Sequence, residues 1–181
     1  MSDLRIKLEH ILGLEHTQDS ERMVLQLVSS YPEAFVESVP IRSEKKQVFN
    51  CFMYALSLVD RVEPNVIKLE DGSLKFIVNS TFFRKLIGTG VLIEASAHQL
   101  EPKDLVVYYN GQEKMHVALY LAPNLVESKW GPGPLFRHGL WDVPESYGDK
   151  LRYFKRPEQS KVDALLGQEL PGVQLAPHEP L

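Results

Sequence analysis

The chain predicts an α+β fold, with helices first and an antiparallel sheet after them. Two observations carry this. Up to about residue 88, apolar residues recur mostly at helical spacing between capping and breaking residues. From residue 105 onward, short β-prone runs alternate with turn pairs such as Asn110-Gly111 and Pro123-Asn124. Helices and strands segregated along a chain give α+β architecture rather than alternating βαβ units.

Each element follows in order. Residues 3–13 form an amphipathic helix, with Leu4, Ile6, Leu8, Ile11 and Leu12 among charges. Residues 18–30 repeat the pattern through Met23, Val24, Leu27 and Val28, until Tyr31-Pro32 stops it. Residues 33–49 read as irregular, with basic positions Arg42, Lys45 and Lys46. A helix capped by Asn50 runs to about Val59. Residues 65–70 and 74–78 flank Asp71-Gly72 and read as a hairpin. Asn79-Ser80-Thr81 caps a short helix over 82–87 that Gly88 closes. Strands follow over 105–109, 116–121, 125–130, 135–140 and 151–154. The proline-rich tail, 157–181, reads as loose beyond a helical stretch at 159–166.

The chain has 181 residues, 44% hydrophobic and 24% charged, an ordinary globular composition. Residues 1–156 are expected to form one domain, including a helical extension over 1–40. A net charge of −4 offers no basic excess for nucleic acid or an anionic membrane. No run reaches the ~18 apolar residues of a spanning helix, and the first residues lack an export leader's apolar core. The expectation is a cytoplasmic protein, with secretion by a non-classical route left open. The single cysteine cannot form an internal disulfide. No metal-ligand spacing and no glycine-rich phosphate loop occurs, so no metal or cofactor is expected. His10 and His16 read as solvated.

The candidate chemistry centres on Cys51. Asn50-Cys51 opens a helix, where the positive end of the dipole lowers a thiol pKa. His116 heads the apolar strand Met115-His116-Val117-Ala118-Leu119-Tyr120-Leu121. A cysteine at a helix start and a histidine on a strand are the minimum set for thiol nucleophilic catalysis. The structural alternatives are a core cysteine and a strand-end histidine bonded to a carbonyl.

Residues 50–154 resemble the NlpC-type branch of the papain-like cysteine peptidases and amidases. The likeness rests on Asn50-Cys51 at a helix start, on Glu101-Pro102-Lys103-Asp104-Leu105-Val106-Val107-Tyr108 as the turn into the first core strand, and on the His116 strand. Members of that branch often carry Asp before the cysteine, Ser-Gly after it, and Gly before the turn's Asp. Here those places hold Asn50, Phe52, Met53 and Lys103. The resemblance implies a papain-like core, Cys51 as nucleophile, His116 as base, and a third group about twelve residues after the histidine, which is Ser128.

Geometry leaves two choices for that group. A three-residue loop, Ala122-Pro123-Asn124, puts Ser128 on the face of His116; a two-residue loop puts Glu127 and Lys129 there. His138 is a third candidate. Asn50, Trp130 and His138 are candidate substrate-binding residues, although Trp130 and Trp141 read equally as aromatic core. The expected substrate is a peptide or amide, free or within a protein. The runner-up is a binding protein on a degenerate scaffold, or a protein deamidase or acyltransferase.

Overall fold

A computed structural model describes residues 3–13, 18–41, 49–59, 61, 66–68, 74–76, 78–111, 114–131 and 133–169. The fold is α+β. The helices are α1 (Asp3–Gly13), α2 (Gln18–Val28), α3 (Cys51–Ala55), α4 (Ser80–Gly88) and α5 (Gln159–Glu169). The strands are β1 (Val36–Val39), β2 (Val66–Lys68), β3 (Leu74–Phe76), β4 (Glu94–Ala95), β5 (Leu105–Asn110), β6 (Lys114–Ala122), β7 (Leu125–Lys129), β8 (Leu135–Gly139) and β9 (Lys150–Phe154). Among the described residues, β2 and β3 pair by themselves and the other strands form a seven-stranded antiparallel sheet, β1-β8-β7-β6-β5-β9-β4.

The period of two along β5 and β6 sends alternate residues to opposite faces, and each face buries its own core. Leu105, Val107 and Val117 pack against α3, α4 and α5 through Phe52, Met53, Phe83, Leu86 and Val162. Val106, Tyr108, Ala118 and Val126 pack against α1 and α2 through Leu4, Leu8, Val24 and Val28. The result is a sheet between two helical layers. The N-terminal extension is therefore a structural layer; without it the apolar face of the sheet would meet water.

Some boundaries differ from the sequence reading. The Cys51 helix ends at Ala55 rather than near Val59, because Ser57 turns to φ 55° and Leu58 N–H bonds back to Met53 O. Residues 36–39, expected to be irregular, form edge strand β1 against β8. The tail helix reaches Glu169 instead of Leu166. Arg42, Lys45 and Lys46, the Asp71-Gly72 turn, His16 and residues 170–181 lie outside the described residues.

Candidate active site

Asn50 sets the start of α3. Its Oδ1 accepts from Met53 N–H at 3.0 Å, and its Nδ2 donates to Val78 O at 2.8 Å. The side chain that was a substrate-binding candidate is thus occupied in fixing the Cys51 turn to the chain before α4. α3 packs on β6 and β7.

The decisive local feature is the β6–β7 hairpin. Its loop is two residues long, Pro123 and Asn124, with Asn124 at φ 59°. A two-residue loop alone would have turned Glu127 and Lys129 toward His116. A bulge shifts the register between Tyr120 and Ala122, so Leu119 pairs with Glu127 and Tyr120 with Val126. That one extra residue restores the parity and brings Ser128 to the face of His116.

Ser128 is fully buried, and its hydroxyl has three partners: His116 Nε2 at 3.0 Å, His138 Nε2 at 2.8 Å and Trp130 Nε1 at 3.1 Å. Proton counting assigns the roles. Trp130 Nε1–H can only donate. His138 Nδ1 faces Gly139 O at 2.9 Å, a pure acceptor, so Nδ1 carries the His138 proton. With the imidazole neutral, His138 Nε2 then accepts the Ser128 hydroxyl proton. The Ser128 oxygen, having donated, accepts from Trp130 and from His116 Nε2–H. His116 is thereby held as the Nε2–H tautomer, with Nδ1 as its basic nitrogen. Tyr147 stacks on the ring, centroids 3.8 Å apart at 15°. Arg5 of α1 donates to the carbonyls of Val143, Pro144 and Gly148, and Glu9 accepts from Ser146 N–H, so α1 clamps the segment that carries Tyr147.

Glu127 lies on the other face. It accepts from Tyr54 Oη, and Arg137 bridges it at 3.3 Å, so it ties α3 to β8 and is not the partner of His116. Trp130 and His138 are both fully buried, so neither presents a surface to substrate; both serve Ser128. Trp141, by contrast, is exposed and stacks under Arg5.

The electrostatics reverse one expectation. Burial pushes the Cys51 thiol up to about 11, while backbone N–H groups of Val117, Phe52 and Cys51 and the charge of Lys129 pull the other way. A helix terminus contributes roughly 0.3–1 kcal/mol, less than one pKa unit, whereas burial moves a group by up to ~3–5 units. With α3 only five residues long, burial wins. Burial also drives His116 well below its ordinary value, with His138 adding to the effect. At neutral pH the thiol and the imidazole both rest neutral. No hydrogen bond joins them: Cys51 packs with Val107 and Val117 on the α3 face of the sheet, whereas His116 lies against Tyr108 and Tyr147 on the other face.

The sulfur approaches Val117 where the hairpin opens. β6 stays paired to β5 as far as Lys114, and β7 to β8 as far as Lys129, but the β6–β7 ladder ends at Leu119 and Glu127. The Val117 N–H is thereby free to face Cys51. Tyr147 is not among the residues the sequence singles out, and Lys129 enters only beside Glu127. Lys129 carried a signal in its parity with Glu127; Tyr147 carried none.

The sequence model of a family described as a domain of unknown function, DUF7689, matches residues 40–155. The chain belongs to that family. No curated protein and no solved structure matches it. The matched region holds Cys51, His116, Ser128, His138 and Tyr147, while α1 and α2 lie before it. A cavity of about 350 Å³ lies at the far end of the β6–β7 hairpin, lined by Tyr120, Asn124, Leu140 and Tyr153 among others. Its lining includes none of Cys51, His116, Ser128, His138 and Tyr147. Among the described residues, no group of three or more His, Cys, Asp or Glu side chains is placed to hold a metal ion. No helix among them is long and apolar enough to cross a membrane.

Proposed function

We propose that the protein is a thiol hydrolase, a peptidase or amidase of papain-like, NlpC-type design, with Cys51 as nucleophile and His116 as general base. One observation carries the reading: the chain from Gly139 O through His138 and Ser128 sets the His116 tautomer and leaves Nδ1 unprotonated. A core histidine needs no such relay. A catalytic base does, because it must present one nitrogen as base while the other is held.

Both groups rest neutral and no hydrogen bond joins them at rest, so this mechanism requires the sulfur and Nδ1 to meet through the β6–β7 opening. The thiol proton then moves to Nδ1 as the sulfur attacks the carbonyl carbon. A C–S bond forms, and the carbonyl electron pair moves onto oxygen, where the N–H groups of the first α3 turn can receive it. The imidazolium Nε2–H strengthens its bond to Ser128, whose own proton faces His138. Nδ1–H then protonates the leaving amine, and water releases the acyl group by the reverse sequence. Acyl transfer to another acceptor, or deamidation, uses the same first half.

The elevated thiol pKa favours a second reading, a binding protein on a scaffold that has lost catalysis. The test is an acylation assay with an activated ester, read by intact mass. A hydrolase acquires an adduct on Cys51, its only cysteine, faster than glutathione does at the same pH. His116→Ala should slow that step by about 10²–10⁴-fold. An adduct forming no faster than on glutathione, and indifferent to His116, leaves the binding reading standing.

A further inference from the structure

We propose that Lys129 is the counter-charge of Cys51: a cation buried at the opening of the β6–β7 ladder that stabilises negative charge on the sulfur. The inference rests on the thiol reading above and adds to it a residue other than Cys51, His116 and Ser128.

The parity that turns Ser128 toward His116 turns Lys129 toward α3. Lys129 is the last residue of β7 and, like Val117, lies beyond the end of the β6–β7 ladder. It is 3% exposed. Its ammonium donates to Gly131 O and Gly133 O and sits 5.1 Å above the Phe49 ring, two residues before Cys51. Among the described residues no carboxylate pairs with it. Burying an ammonium costs several kcal/mol, and neutral carbonyls with one aromatic face return only part of that.

Among the described residues, the charged or titratable groups around the opening are Cys51 and Tyr54 from α3, His116 from β6, Glu127 from β7, Arg137 from β8 and Tyr147. Glu127 is engaged by Tyr54 and Arg137. His116 rests neutral. Cys51 is the group whose charge acts back on Lys129, opposing the desolvation that brings the lysine down to about 8. As the thiolate develops it meets a positive charge already desolvated, with no solvent to reorganise.

The experiment is the rate of iodoacetamide alkylation of Cys51 against pH in the full chain, for the wild type, Lys129→Gln and Lys129→Arg. Glutamine removes the charge and offers an N–H donor on a side chain one atom shorter. In Lys129→Gln the rate at pH 7, where the lysine is charged, should fall about tenfold, and the difference from wild type should close above pH 9, where the lysine has lost its proton. Lys129→Arg should stay within about threefold of wild type at pH 7, and exceed it above pH 9, where the lysine has lost its proton. A folded Lys129→Gln protein that titrates like the wild type overturns the proposal and leaves Lys129 as a latch on the carbonyls of Gly131 and Gly133. If Lys129→Gln does not fold, the arginine variant decides: a profile equal to wild type above pH 9 overturns the proposal. Failure of the hydrolase reading has a separate signature, an absent acyl adduct in the wild type with the Lys129→Gln rate loss intact.

Discussion

Ser128→Ala tests the centre of the structure. Its Oγ is the sole described partner of His116 Nε2–H and Trp130 Nε1–H, and the donor to His138 Nε2. Alanine removes it at a site with no exposure, so two buried donors and one buried acceptor lose their partner together. Leaving a buried polar group unsatisfied costs about 1–3 kcal/mol, and the low end suits a site where the two rings can rotate slightly. The expected loss is about 3 kcal/mol, or roughly 6–12 °C in Tm for a chain of this length. The variant should also lose the bias of His116 toward Nε2–H, because nothing then distinguishes the ring nitrogens. Thermal unfolding reads the first effect, and long-range ¹H–¹⁵N spectra of the imidazoles read the second. A Tm within about 2 °C of wild type, with the His116 tautomer unchanged, would refute the proton assignment and with it the basis for Nδ1 as base.

Three further outcomes are expected. Burial holds His138 down to about 4 and His116 also low, so the folded state binds fewer protons than the unfolded one below pH 6.5. Stability should therefore be full above pH 6.5 and fall between pH 6.5 and 4, by on the order of 3 kcal/mol for His138 alone; a urea midpoint flat across that window contradicts this. Asn50→Ala removes the α3 cap and the bond to Val78 O and should cost about 1–2 kcal/mol, with Asn50→Asp intermediate because it keeps the cap; equal urea midpoints for alanine and aspartate would show that the cap contributes nothing. Arg5→Met strands the carbonyls of Val143, Pro144 and Gly148 and should cost about 2–4 kcal/mol. Hydrogen exchange should accelerate in 143–149 but not in β9, and a uniform acceleration would mean that α1 clamps nothing in particular.

The chain order of helices and strands, the cap that starts the Cys51 helix, and the apolar faces of β5 and β6 were legible in the sequence. Each depends on near neighbours: a side chain three residues from an N–H, or alternation along one strand. Edge strand β1 was not legible, because a four-residue run acquires strand geometry only from its partner β8. The choice between Ser128 and Glu127 was not legible either. Parity across a hairpin depends on every residue between the strands, and one bulge near Ala122 reverses the answer that loop length implies.

The sign of the Cys51 shift likewise belongs to the tertiary structure. A helix start is a local feature and pulls a thiol down by a fraction of a unit, whereas desolvation by the packed layers is non-local and stronger. The sequence by itself determined which groups could react, since it alone supplies one thiol and the histidine that heads a strand. Only the tertiary structure decided which groups face one another and in which protonation state. Facing is set by strand register, and protonation by burial and by the partners that register delivers.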